Sequence, residues 1–123
     1  MCRLKIRRRR GPAHFTAPPK FSAKRWGRWF HDKHGLEFIA IRIGAFQPPD
    51  SPLFEKIWCR ELCLSPRDAV SLFRAAIETP KVGYAVVNGT SKTLREKLSL
   101  RPAREILGWQ PQDDARDVYR GEL

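Results

Sequence analysis

Two short apolar runs limit what this chain can fold into. Leu36-Glu37-Phe38-Ile39-Ala40-Ile41-Arg42-Ile43 and Gly83-Tyr84-Ala85-Val86-Val87-Asn88-Gly89 are apolar at most positions instead of alternating. Such runs fit interior strands covered on both faces, as in a parallel sheet. Between them, Ser65-Pro66-Arg67-Asp68 has the chemistry of a helix start: Ser as N-cap, Pro at the first position and an acidic residue in the first turn. Ala69, Val70, Leu72, Phe73, Ala76 and Ile77 then mark a buried stripe, and Pro80 ends the helix.

Flanking segments extend the pattern. Trp26, Trp29, Phe30 and Lys33 are spaced to place two aromatics on one helical face, with Gly35 as the stop. Gly44 to Leu53 is a loop broken by Pro48, Pro49 and Pro52, and a short helix is predicted across Pro102 to Leu107, capped by Gly108. The order helix, strand, loop, helix, strand, helix indicates an α/β layered fold within a single domain of 123 residues.

The charge is divided unevenly. The first thirty residues contain ten Lys or Arg and no acidic residue, leaving 14 basic and 13 acidic residues for the rest of the chain. The net charge of +11 is therefore a basic segment joined to a nearly neutral body, with the seam near Trp26. Residues 1–26 are expected to be disordered and residues 27–123 to form the domain, because the basic stretch has no apolar period and carries Pro12, Pro18 and Pro19. Gly-Pro-Ala-His follows the basic start where a secretory signal would have an apolar core, and no apolar run is long enough to span a bilayer. A cytoplasmic location with Cys2, Cys59 and Cys63 reduced is the expectation.

Three chemistries can be weighed on residue types alone. Arg7 to Arg10, with the aromatics that follow, could neutralise phosphates and stack bases, but no recognition motif accompanies them. His31 with His34, and Cys59 with Cys63, lack the order and spacing of zinc knuckles, so no metal site is expected. Neither a G-x-S-x-G elbow nor a G-x-G-x-x-G turn occurs, and Ser65 has the setting of a cap.

Five short segments carry a resemblance: Gly27-Arg28-Trp29-Phe30, Ile41-Arg42-Ile43-Gly44, Leu64-Ser65-Pro66-Arg67-Asp68, Val86-Val87-Asn88-Gly89-Thr90-Ser91, and Leu107-Gly108-Trp109-Gln110-Pro111-Gln112-Asp113-Asp114. In this order they resemble the C-terminal part of the NAD-dependent epimerase/dehydratase family, the extended short-chain dehydrogenases, and most closely its uronate dehydrogenase-like branch. The resemblance implies part of a Rossmann-type parallel sheet, NAD as the family's cofactor, and a sugar or sugar acid as substrate. It makes Ile43, Gly44 and Ala45 candidates for the cofactor edge and Arg60 a candidate for substrate binding. Ala45 stands where uronate dehydrogenases usually have Ser, and so lacks a hydroxyl that would hold a sugar group.

The family's glycine-rich NAD turn and its Tyr-x-x-x-Lys pair have no counterpart here: no Tyr precedes Tyr84, and neither Tyr84 nor Tyr119 has Lys four residues later. An inactive C-terminal fragment of an NAD-dependent sugar oxidoreductase or epimerase is thus implied, with no NAD bound by the fragment. The alternative is a small basic protein that uses Arg3 to Arg28 on nucleic acid or an acidic partner. Back-translation of Phe15 to Trp26 in the shifted frame permits Tyr-Gly-Ala-Ser-Lys-Val-Phe-Gly-Glu-Ala-Leu-Gly, which has the form of the family's catalytic helix. The basic segment is then out-of-frame translation. Sequencing the DNA upstream should reveal a glycine-rich βαβ region in the shifted frame, and its absence would refute the frameshift.

Overall fold

The computed structural model describes residues 23–48 and 50–120, the side chains of residues 119 and 120 excepted. Two strands, β1 (Phe38–Ile43) and β2 (Tyr84–Gly89), pair in parallel, in a register running from Phe38 opposite Tyr84 to Ile43 opposite Gly89. Backbone bonds from Phe38 N to the Gly83 carbonyl (2.7 Å) and from Gly44 N to the Gly89 carbonyl (2.9 Å) bracket the pair.

Helices cover both faces. α1 (Ala23–His34) lies on the face of Phe38 and Tyr84, whose rings stack at 5.8 Å. On this face Tyr84 donates its hydroxyl to the Lys24 carbonyl at 3.1 Å, and Arg28 sits over the Tyr84 ring. The helix begins at Ala23, inside the stretch expected to be disordered; residues 1–22 of that stretch lie outside the described residues. The aromatics do not form its sheet-facing side: Trp29 and Phe30 are exposed and join an edge-on ring cluster with Trp26 and His34. Gly27 is the buried position, because a Cβ there would stand 2.2 Å from the Phe38 ring. Its missing side chain lets the helix settle on the strand.

The opposite face carries α2 (Pro66–Glu78) and α3 (Arg101–Leu107). Leu72, Ala75 and Ala76 of α2 and Leu100, Ala103 and Leu107 of the α3 region pack with Ile39, Ile41 and Val87 of the sheet. Ser65 caps α2 as expected, its Oγ accepting from Asp68 N at 3.0 Å, with Pro66 opening the first turn. The expected buried stripe is corrected at two positions: Val70 and Ile77 are 69% and 83% exposed. They lie on the far side of the helix from Leu72, beside Phe46 and Phe73 along an open groove. Gly108 ends α3 in the left-handed region at φ 63°, and Trp109 folds back to donate Nε1 to Ser71 Oγ at 2.8 Å.

A second, smaller core stands beside the sheet. Proline-rich residues 44–53 lead into a 3-10 turn (Pro52–Glu55) and a short helix (Ile57–Glu61), and the described chain closes with a helix at Ala115–Arg120. The helices at Ile57–Glu61 and Ala115–Arg120 are αA and αB of this small lobe. Phe54, Cys59, Cys63, Ala45, Ala115 and Val118 form its core. Single parallel bridges, Ala45 to Cys63 and Lys92 to Asp114, join it to the strand ends. No described helix is long and apolar enough to cross a membrane.

Two glycines test this packing from opposite directions. At Gly44 a Cβ would meet the Leu62 carbonyl oxygen at 1.9 Å, whereas at Gly108 it would meet nothing within 4 Å. Gly44→Ala should therefore cost about 3 kcal/mol through overpacking against backbone. Gly108→Ala should cost only about 1 kcal/mol of left-handed strain. Urea midpoints of the two variants are the measurement.

Candidate functional site

Ligands of parallel α/β sheets gather at the carboxyl ends of the strands. Here that end is formed by Ile43-Gly44-Ala45 and Gly89-Thr90-Ser91, with Thr90 and Ser91 both buried. The backbone of the first segment is committed to the protein itself. Gly44 N donates to the Gly89 carbonyl, Ala45 N to the Leu62 carbonyl at 2.7 Å, and the Ala45 carbonyl accepts from Leu64 N at 3.0 Å. Ile43 and Gly44 remain half-buried, while the Ala45 methyl is buried in the small core.

Beneath these strand ends lies a network of buried polar side chains. Asp68 is fully buried, and its carboxylate accepts from Ser91 Oγ (2.6 Å), Gln112 N (2.8 Å) and Asp113 N (3.2 Å). Ser91 Oγ in turn accepts from Ser65 N at 2.9 Å, and Ser65 Oγ donates to Asp113 Oδ2 at 2.6 Å. Arg67, largely exposed, pairs with the buried Asp113 carboxylate. The network joins the start of α2, the segment leaving β2 and the segment before αB, so three parts of the chain meet on one carboxylate. These bonds tie the three segments to one another, so the network is a structural junction.

Arg60 sits in the last turn of αA, its Nε donating to the Phe54 carbonyl. It lines a cleft with Ile57, Glu61, Leu94, Arg95, Ala115 and Arg116. Ala45 does not line this cleft, but it shares the small core with Ala115, which does. The four sequence candidates thus fall on two adjoining features, the strand end and the cleft. Arg95 and Arg116 were not singled out from the sequence; neither has a motif of its own, and only the fold brings them to Arg60.

The other chemistry-bearing residues are placed as follows. His31 Nδ1 bonds the Leu36 carbonyl at 3.0 Å, and Cys59 and Cys63 are free thiols inside the small core. Burial, with Cys59 and Asp68 nearby, pushes the Cys63 thiol up to about 12. Among the described residues no three His, Cys, Asp or Glu are grouped to hold a metal ion. The Arg116 guanidinium clamps Asp114 through Nε and Nη2 and holds that carboxyl down to about 2.

The junction can be dissected by substitution. Asp68→Ala strands three donors, two of them on the buried Ser91 and Asp113, and should cost about 3 kcal/mol. Ser91→Ala alone should cost about 1–2 kcal/mol, and the double variant less than the sum, because both changes remove the same bond. Denaturant titration of the three variants measures the coupling.

Comparison with known proteins fits this architecture. No family model matches the chain. It is 30% identical over 116 residues to the NAD-dependent glucose-6-phosphate dehydrogenase of Haloferax volcanii, covering 90% of this chain and 42% of that protein. It is 29% identical over 115 residues to the uronate dehydrogenase of Pseudomonas syringae pv. tomato, covering 93% of this chain and 39% of the relative. The crystal structure of uronate dehydrogenase from Agrobacterium tumefaciens superimposes with a TM-score of 0.64 at 29% identity, over 80% of this chain and 35% of the other. The chain thus spans about two fifths of the length of the relatives it matches. Its relatives and structural neighbours are an NAD-dependent glucose-6-phosphate dehydrogenase and uronate dehydrogenases, and in sequence and in fold the chain is similar to the C-terminal part of such a Rossmann-like, epimerase/dehydratase-type fold.

Proposed function

We propose that this chain is the C-terminal part of an NAD-dependent oxidoreductase for a sugar acid or a related anionic sugar, inactive as the 123-residue polypeptide. The observation that carries this reading is the agreement of sequence and fold with uronate and glucose-6-phosphate dehydrogenases over a region with no Tyr-x-x-x-Lys pair and no glycine-rich turn. In the proposal, Ile43, Gly44 and Ala45 form the edge nearest the nicotinamide, and Arg60 stands on the substrate side. Ala45 offers a methyl group where a hydroxyl would hold a sugar, so a substrate held there must rely on other donors.

Incomplete packing supports the inactive part of the reading. β1 has β2 as its one neighbour among the described residues and stays half-buried although helices cover both its faces. A strand of a parallel sheet ordinarily has its backbone paired on both sides, and a bare edge beside apolar groups invites association. The exposed Val70 and Ile77 on α2 add apolar surface. Asn88 Oδ1, near the end of β2, is buried and has no hydrogen-bond partner among the described residues. A donor from a ligand or from further polypeptide would satisfy it.

The test is direct. Titrating the purified chain with NAD by calorimetry should give no saturable heat, and neither glucuronate nor glucose 6-phosphate should drive NADH formation. The chain should also self-associate as its concentration rises. Tight NAD binding by a monomer with cooperative melting would overturn the proposal.

A further inference from the structure

We propose that the outward face of α1 is a docking surface for a bilayer rich in anionic phospholipid, touched at the headgroup level and not crossed. This goes beyond the reading above, since it uses neither the strand ends nor a cofactor, and it stands or falls apart from the oxidoreductase assignment.

The helical period sets the arrangement. Gly27 faces the Phe38 ring, so Arg25, Trp29 and Lys33, about half a turn away, form an exposed row pointing off the sheet. Trp26, Phe30 and His34 form the adjoining row. The Trp29 ring meets Phe30 edge-on at 5.0 Å between centroids, with His34 at 5.6 Å and Trp26 at 6.2 Å, so the two rows carry one aromatic ridge. Trp29 is 45% and Phe30 36% exposed, and Leu36, just past the helix end, is 51% exposed. Apolar groups gathered in this way on a surface mark an interaction site.

Charge selects the occupant. Lys24, Arg25, Arg28 and Lys33 against Asp32 leave α1 with a surplus of +3, and Asp32 is itself paired with Arg28 at 3.3 Å. The first thirty residues of the chain hold ten Lys or Arg and no acidic residue, so the basic charge of the protein is concentrated around this ridge. Arg25 and Lys33 bracket Trp29 at i−4 and i+4, which lets the rings sit at the boundary of headgroups and acyl chains while the cations reach the phosphates. A nucleic acid would use the cations, but base stacking needs open ring faces. Here the rings are packed on one another, and the aliphatic Leu36 suits a lipid better than a base.

The surface is also ready-made. Tyr84 holds the start of α1 through the Lys24 carbonyl, and Gly27 seats its middle on Phe38. At its end the Gly35 amide donates to the His31 carbonyl at 2.9 Å, and His31 Nδ1 bonds the Leu36 carbonyl at 3.0 Å. An amphipathic helix that is free in solution must fold as it binds, whereas this one is already folded on the sheet, so less order is lost on contact.

Flotation of the full chain with lipid vesicles tests the proposal, using phosphatidylcholine alone and phosphatidylcholine with about one-third phosphatidylserine. The mixed vesicles should bind, less tightly as salt is raised, and the neutral ones should bind far more weakly. Trp29→Ser combined with Phe30→Ser keeps every charge and should weaken binding about tenfold. Lys33→Gln should weaken it about fivefold, the effect of one cation near an anionic surface. Val70→Ser combined with Ile77→Ser, on the exposed side of α2, should leave it unchanged. If the double aromatic variant does not fold, Trp29→Ser alone decides, with a loss of about fivefold. The proposal is overturned if the mixed vesicles do not bind, if neutral vesicles bind as tightly, or if the aromatic variant binds as well as the parent chain. In the last case, RNA binding or dimerisation that the same variant abolishes identifies a nucleic acid or a second copy of the chain as the occupant.

Discussion

The Asp68 carboxylate ties together the start of α2, the segment leaving β2 and the approach to αB. Removing a charge from water is costly, and the cost is recovered only when the lone pairs are filled with well-placed donors. Asp68 receives two backbone N–H groups and a serine hydroxyl, from segments 23 and about 45 residues away in sequence. Because those donors come from loops without regular hydrogen-bond ladders, the carboxylate does for them what a strand partner does in a sheet. It fixes where the chain turns after β2 and where it enters αB.

The same residues serve the helix. Ser65 Oγ both accepts the Asp68 amide as an N-cap and donates to Asp113, so one hydroxyl spends its donor and acceptor capacity on two different tasks. This gives Leu64-Ser65-Pro66-Arg67-Asp68, Gly89-Thr90-Ser91 and Gln112-Asp113-Asp114 a shared structural task. They mark a structural joint between the sheet layer and the small lobe. A reader of motifs alone would be tempted to assign them chemistry.

Local signals made the fold legible. The Ser-Pro start of α2, the glycine stop of α1 and the left-handed Gly108 were readable because caps depend on neighbours in sequence. Position relative to other layers was less legible. The spacing of Trp26, Trp29 and Phe30 put aromatics on one face of α1, but that Gly27 is the residue meeting the sheet was not readable, since contact with the Phe38 ring depends on tertiary approach. Val70 and Ile77 followed the helical period but lie beyond the arc that the sheet and α3 cover. The helices αA and αB went unread because five or six residues with few caps carry little periodic signal. Ile43, Gly44 and Ala45 came from family resemblance, and the structure accounts for their backbone bonds as internal pairing.

The arginine cleft depends on the buried joint. Ser91, bonded to Asp68, immediately precedes the 92–97 segment, and Ser91 N donates to the Cys63 carbonyl at 2.8 Å just after αA. Asp113, bonded to Ser65, immediately precedes the Asp114 that holds Arg116. Each wall of the cleft is therefore tethered within a few residues of the same hydrogen-bonded cluster. An arginine on a free loop would lose side-chain and backbone entropy on meeting an anion. Here the backbone part of that cost is met when Asp68 is buried, so the joint that stabilises the fold also fixes where Arg60, Arg95 and Arg116 stand around the cleft.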